Sequence, residues 1–392
     1  MAVPTTTGGT VSVLALRELN RATLARQLLL ARADRSPLSA VEHLVGLNAQ
    51  DPDPPYLGLW SRLARFDLQD LTALMTDRSV VRGTFLRGTQ YTVTAGDYLW
   101  IRPLLQPMLE RLQRSAFRRA TEGLDLPALL TEAREVIRSG DEVTRPQVGR
   151  ALAALHPGRD PAALARSAQF LLPVLHPPPD STWGRRGPTP FVLAEDWLGS
   201  ALDAHAPVER LVLRYLAAFG PASVRDVTAW SGLTRMREVV DGLRPRLATF
   251  RDPSGRELVD LPDAPRPSGD VEAPVRFLAP LDNVLLGHHD RTRIVTDEQR
   301  SHVFLEAAVT VDGFVRGLWR IRRRAGTATV VVRLFRSLSA AERDALTAEA
   351  VALARFVAPD ADAHDVAELE VDAPWPPGAP WDPSGPGAGV RR

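Results

Sequence analysis

The chain has 392 residues, enough for two to four domains at roughly 100–200 residues each; its 44% hydrophobic and 24% charged content fits a folded chain, and no apolar run approaches the ~18 residues of a membrane span. It contains no cysteine and no lysine, which excludes disulfides, thiol catalysis, cysteine zinc sites, a lysine Schiff base and a P-loop lysine. Arginine therefore supplies all 48 basic side chains against 47 acids, a net charge of +1, so any surface for a polyanion has to be local.

The opening MAVPTTTGGTVSVLAL lacks the basic and apolar regions of a secretory signal, giving the expectation of a cytoplasmic protein. Helical spacing follows over 14–32, 38–50 and 56–66, and strand-like alternation over 80–95 surrounds Arg87-Gly88. Residues 127–137 read as a helix, Thr144 caps another that carries Pro146 near its start, and 161–175 forms a third. Residues 180–194, with Trp183, Arg185 and Arg186, have the make-up of a wing. The pattern is clearest over 208–262. Val208, Leu211, Val212, Tyr215 and Leu216 mark a helix stopped by Gly220-Pro221. Ser223 caps the next, and Met236, Val239, Val240 and Leu243 mark a third. Strands on either side of Asp252-Pro253-Ser254-Gly255 close a hairpin. This is the order of a winged helix-turn-helix. From Val275 the texture is β-rich, interrupted by one helix over 339–357, and it predicts a small β-barrel or curled sheet. The fold class expected is α+β. Three tandem winged helix-turn-helix units span 1–115, 116–200 and 201–268, a barrel spans 269–372, and a Pro/Gly-rich tail over 373–392 is expected to be disordered.

Four segments are candidates for chemistry. Asn48-Ala49-Gln50 ends the second predicted helix, with Asn48 on the stripe of Val41, Leu44 and Val45; Pro52, Pro54 and Pro55 are expected to stop it. If the chain unwinds at 48–50, both amides share one face and converge on a cleft; otherwise they cap a helix end. In Leu86-Arg87-Gly88-Thr89, Gly88 suits positive φ, and Arg87 and Thr89 either hold a phosphate or sit in an ordinary hairpin turn. In the stretch from Asp282 through Asn283, His288, His289, Arg291 and Arg293, the adjacent histidines suit a metal poorly. Arg291 and Arg293 either face two phosphates or line a solvated loop. Arg316, Arg320, Arg322, Arg323, Arg324, Arg333 and Arg336, with Trp319 among them, read as a nucleic-acid surface or a solvated face. Asp51 and Asp53 flank prolines and have weak cation-binding spacing. No cofactor motif is present: there is no GxGxxG after a strand, no GxSxG, no HExxH and no Walker A.

Taken in order, these segments resemble the AlkZ-type winged-helix DNA glycosylases. The resemblance rests on Gly46-Leu47-Asn48-Ala49-Gln50, on Pro55-Tyr56-Leu57-Gly58-Leu59-Trp60-Ser61-Arg62-Leu63, and on Leu86-Arg87-Gly88-Thr89. It continues through Gly220-Pro221, Trp230-Ser231-Gly232-Leu233, Leu281-Asp282-Asn283 to Arg293, and Val311-Asp312-Gly313 to Arg320. It covers about residues 10–360. It implies a C-shaped channel built from the three winged helices, closed by the barrel, acting on double-stranded DNA that carries alkylated purines, including bulky and crosslinked N7 adducts of DNA-alkylating natural products. Some members protect their hosts against such products. The family's catalytic pair is Gln, an aliphatic residue, then Gln or Asp. Gln50 matches the second position; Asn48 departs from the first, keeping the amide on a shorter arm. The DNA-binding residues expected are Arg87, Thr89, Arg185, Arg186, Asp282, Asn283, His288, Arg291, Arg293 and Arg320, with no metal. A monomer in the nucleoid, a monofunctional enzyme without a Schiff base and activity confined to cationic lesions are the corresponding expectations. The competing readings are a winged-helix transcriptional regulator, an inactive adduct-binding family member and, more distantly, a metal hydrolase.

Overall fold

The computed structural model describes residues 12–369 and Trp375, apart from 141, 142, 186, 189, 298, 300–302, 304 and 305; the expected tail thus lies outside the described residues except for Trp375. The N-terminal part contains α1 (Leu16–Arg26), α2 (Pro37–His43), β1 (Leu47–Asn48), α3 (Pro54–Trp60), α4 (Leu68–Thr76), β2 (Val80–Thr84), a 3₁₀ turn at Leu86–Gly88 and β3 (Gln90–Thr94). The long helix α5 (Ala95–Thr121) leads to α6 (Leu126–Arg138), α7 (Arg145–Leu155), α8 (Pro161–Leu171), β4 (Val174–Leu175), β5 (Val192–Leu193) and α9 (Ala194–Leu198).

These two parts share one sheet, ordered β1-β3-β2-β4-β5. The join is Gly83 opposite Leu175. A Cβ at Gly83 would lie 2.9 Å from the Val174 carbonyl oxygen and 3.1 Å from the Tyr98 ring, so the crossing requires glycine. The boundary expected at 115/116 falls inside α5, which is pinned to α8 where Arg102 donates to the carbonyls of Phe170 (2.9 Å) and Leu172 (3.2 Å). The first two units are thus fused through strands and a common helix rather than strung in tandem.

The third part has the predicted element order: α10 (Val208–Phe219), α11 (Val224–Ser231), α12 (Met236–Leu243), then the hairpin β6 (Ala248–Arg251) and β7 (Glu257–Asp260). Ser223 and Asp226 form a reciprocal capping box at the start of α11, and Gly232, at φ 72°, ends it. Helix α1 docks here and against the C-terminal sheet instead of completing a separate first unit. Its Arg26 makes a fully buried two-point ion pair with Asp260 (2.6 and 2.7 Å), and its Asn20 amide donates to the carbonyls of Arg293 and Gly313.

The C-terminal part comprises β8 (Arg276–Phe277), α13 (Asn283–Leu286), β9 (Ala307–Val311), β10 (Phe314–Arg324), β11 (Thr327–Leu334), α14 (Ala340–Val357) and β12 (Ala363–Leu369). Among the described residues it is an open sheet and not a closed barrel. The order is β12-β11-β10-β9-β8, with no pairing between the outer strands, and β12 runs parallel to β11 because α14 is the crossover between them. Helix α14 covers one face, burying Leu346 and Leu353 against Val309, Ile321, Val330 and Val332. With one face covered by a helix, closure into a barrel is not needed to bury the strands' apolar side chains.

Candidate active site

The helix expected over 38–50 stops after His43. Val45 adopts φ 56° and Gly46 φ 87°. The Gly46 amide donates to the Val41 carbonyl (2.9 Å) and the Val45 amide to Glu42 (3.0 Å), the paired bonds of a Schellman ending with valine in the usual glycine position. A left-handed branched residue costs on the order of 1–3 kcal/mol. Full burial of Val45 in the cluster with Phe85, Tyr91 and Val93 offsets that cost. The chain then leaves as β1, with Asn48 opposite Tyr91, and the Ala49 amide donates to the Gln90 carbonyl (2.8 Å).

Asn48 therefore continues no helical stripe. The extended backbone puts Asn48 and Gln50 on one side and the fully buried Ala49 on the other. Pro54 and Pro55 do not stop a helix; they open α3, where a missing N–H costs no hydrogen bond.

The two amides are held differently. Asn48 is 6% exposed. Its Oδ1 accepts from the Gln50 backbone amide (3.4 Å), and its side chain hydrogen-bonds the Tyr91 hydroxyl. Tyr91 is fully buried, and burial raises its pKa, so it remains a phenol. Its hydroxyl accepts from Arg87 Nη2 (2.6 Å) and donates to Asn283 Oδ1 (3.3 Å), while Asn283 Nδ2 donates to the Gly46 carbonyl (2.8 Å). Gln50 is exposed, and its position is set through the backbone: Arg82 donates from Nε to the Ala49 carbonyl and from Nη2 to the Gln50 carbonyl, both at 2.9 Å. Burial pulls the Arg82 pKa down to about 10, against the pull of Asp51 and Asp53, so it is still cationic at neutral pH.

Gln50 stands between two cavities. One, of about 620 Å³, is bordered by Asn48, Gln50, Arg87, Leu281, Leu286 and Arg291, among others. The other, of about 380 Å³, lies between the first two parts of the chain and, among the described residues, shares with it only Gln50. Burial pushes the imidazole of His288, on the larger cavity, down to about 3, so it is neutral there; it hydrogen-bonds the Phe219 carbonyl (2.9 Å).

The predicted DNA contacts are not brought to one place. Arg87, Thr89 and Arg291 border the larger cavity, although Arg87 also donates to the Trp230 carbonyl and Thr89 to that of Leu86. Asp282, Asn283 and Arg293 are buried among protein partners. Asp282 accepts from both guanidinium nitrogens of Arg62 (2.7 and 2.8 Å) and caps α13, and Arg293 donates to the Pro221 carbonyl (2.9 Å). His288 borders the larger cavity as well, with only 3% exposed and its Nε2 bonded to the Phe219 carbonyl.

Arg320 is paired at two points with Glu306 and stacks on Trp375. Trp319 is no surface aromatic: it is 1% exposed and donates to the Leu278 carbonyl. Among its described residues the expected wing at 180–194 supplies the strand β5 and the first residue of α9. Its Trp183 packs edge-on against Tyr56 and Phe356, Arg185 is exposed, and Arg186 lies outside the described residues. Asp53 is buried and accepts from the Gly184 amide (2.7 Å), joining this loop to the motif instead of offering a cation site. Among the described residues there is no group of three metal-ligating side chains. Tyr91 and Arg82, which fix the motif, carried no sequence signal, since each is one more residue in an alternating strand.

Comparison with known proteins agrees with this frame. The family model described as DNA glycosylase AlkZ-like matches residues 41–356. No curated protein matches the chain by sequence. Among solved structures, the Streptomyces sahachiroi DNA glycosylase AlkZ is similar at 20% identity and TM-score 0.73, over 92% of this chain and 100% of that one, a likeness of fold.

Proposed function

The chain belongs to the AlkZ-like DNA glycosylase family, and from that premise we propose that it hydrolyses the N-glycosidic bond of cationic N7-alkylpurines in double-stranded DNA, with Gln50 as the catalytic side chain. The observation that carries this reading is the exposed Gln50 carboxamide at the junction of two cavities, on backbone clamped by Arg82. An N7-alkylated purine is already a good leaving group and needs no general acid. What remains is to stabilise an oxocarbenium-like sugar and aim a water at C1′. A carboxamide oxygen does both without ionising. Asn48, its amide spent on Tyr91 and the Gln50 backbone, is read as a positioning residue, which accommodates its departure from the family pattern. The larger cavity, with apolar Ala229, Leu281 and Leu286 in its wall, suits a purine with a bulky adduct. Read this way, the first three parts are winged helices forming a C-shaped channel for the duplex. The enzyme acts as a nucleoid-associated cytoplasmic monomer that removes adducts of DNA-alkylating natural products and so protects its host.

An amide is a poor proton acceptor and the chain has no lysine, so the same reading expects no excision of uracil and no borohydride-trapped covalent adduct. The test is base release from a duplex with one N7-alkylguanine. Gln50→Ala is expected to lower the single-turnover rate at least ~100-fold, about 2.7 kcal/mol of barrier. Wild-type binding without release would overturn the catalytic reading in favour of an adduct-binding protein.

A further inference from the structure

The smaller cavity gathers more positive charge than the larger, with three arginines in its described lining against two. Arg82, Arg145 and Arg166 all border it, and among its described lining residues there is no carboxylate. Arg145 comes from the start of α7 and Arg166 from the middle of α8, so the packing of that helix pair sets their separation. Arg145 is half-buried and Arg166 exposed, and neither has an acidic partner among the described residues. Arg26 and Arg62, by contrast, are buried against carboxylates. The positive field registers on its neighbours. Protonation of Arg145 is disfavoured by burial and then by Arg166, and His176 in the same wall is pushed down to about 3 by burial, then by Arg82 and Arg145. The like charges of Arg145 and Arg166 repel one another, a cost that an anion entering the cavity would relieve.

We propose that this cavity binds the backbone phosphate next to the target nucleotide, with Arg145 and Arg166 supplying the guanidinium donors. The inference deepens the glycosylase reading and rests on it. Gln50 is the residue common to both cavities, so a strand that places its lesion in the larger one and a neighbouring phosphate in the cationic one brings the connecting sugar to the carboxamide. Guanidinium forks match phosphate oxygens at two points, and such contacts set register without reading sequence.

The test is equilibrium binding of the full chain to a duplex carrying a stable abasic analogue, followed by fluorescence anisotropy against salt. Loss of one phosphate contact in the double variant Arg145→Gln/Arg166→Gln should reduce the slope of log K against log salt by about 1 and weaken binding roughly tenfold. The charge-keeping Arg145→Lys/Arg166→Lys variant, which also controls for folding, should retain the wild-type slope. Single methylphosphonate substitutions should identify one position beside the abasic site where neutralisation weakens the wild type but not the Gln/Gln variant. Identical slopes and methylphosphonate profiles for wild type and Gln/Gln would overturn the proposal. So would binding of inorganic phosphate that only the wild type shows and that leaves its DNA affinity unchanged at matched ionic strength, because the cavity would then serve a free anion. These readings do not involve base release, so a wild type that binds with the full slope and releases no base would refute the glycosylase reading alone.

Discussion

Replacing Tyr91 with phenylalanine removes one oxygen atom and leaves a ring of nearly the same shape in a fully buried position. That oxygen accepts from Arg87 at 2.6 Å, donates to Asn283 at 3.3 Å and hydrogen-bonds Asn48. A hydrogen bond to a charged group contributes about 1.5–3 kcal/mol, and a buried acceptor left without its donor costs about 1–3 kcal/mol. Arg87 keeps its bond to Trp230 and Asn283 its bond to Gly46, so the losses fall short of the sum, and we expect destabilisation of about 2–4 kcal/mol. The catalytic effect is separate. Without the hydroxyl, Asn48 keeps only its 3.4 Å bond to the Gln50 amide, and the carboxamide beyond it loses its lateral support. Misplacement of a catalytic group by about 1 Å can cost on the order of 100-fold. Urea unfolding measures the first quantity, and single-turnover base release from N7-alkylguanine duplex, at a temperature where the variant is fully folded, measures the second. The rate should fall by at least ~10-fold while affinity for an abasic-analogue duplex changes by less than about threefold. Unfolding free energy within 0.5 kcal/mol of wild type together with an unchanged release rate would show that the network does not position the motif.

Two further outcomes concern stability. Asp282→Asn keeps the helix cap but leaves the buried Arg62 guanidinium without its carboxylate, and unfolding free energy should fall by roughly 3–5 kcal/mol; a loss below about 1 kcal/mol would mean that water reaches the pair. His176 titrates at about 3 when folded, chiefly through burial, against 6.5 for the free side chain. Between those values the unfolded chain holds a proton that the folded chain does not. Its contribution is therefore complete above pH 6.5 and declines as pH falls, by about 1.4 kcal/mol per unit. The His176→Asn variant should accordingly show a pH slope shallower by about that amount between pH 6 and 4.5, and equal slopes would place the imidazole in water.

The sequence by itself determined what local rules control. Helix period, a serine cap and Gly-Pro punctuation placed α10, α11, α12 and the following hairpin in the right order, because each of those signals acts within a few residues. The ordered motifs from Gly46 to Arg320 pointed to the family, and the absence of lysine and cysteine restricted the chemistry whatever the fold. The 48–50 segment was recognisable only as an alternative. Which branch holds was decided by the burial of Val45, which stabilises a left-handed turn that local preference disfavours. Long-range geometry was out of reach for the same reason. The fusion of two units through Gly83, the open sheet in place of a barrel and the docking of α1 onto Asp260 depend on partners far away in sequence. Charged residues gave the least warning. Arg62, Asp282 and Arg293 carry the same letters as surface contacts, and only the tertiary structure separates those sealed against a partner from Arg145 and Arg166, which face a cavity with no carboxylate among its described lining residues. The sign and solvation of a neighbour fix the role of a charge, and neither is a local property of the chain.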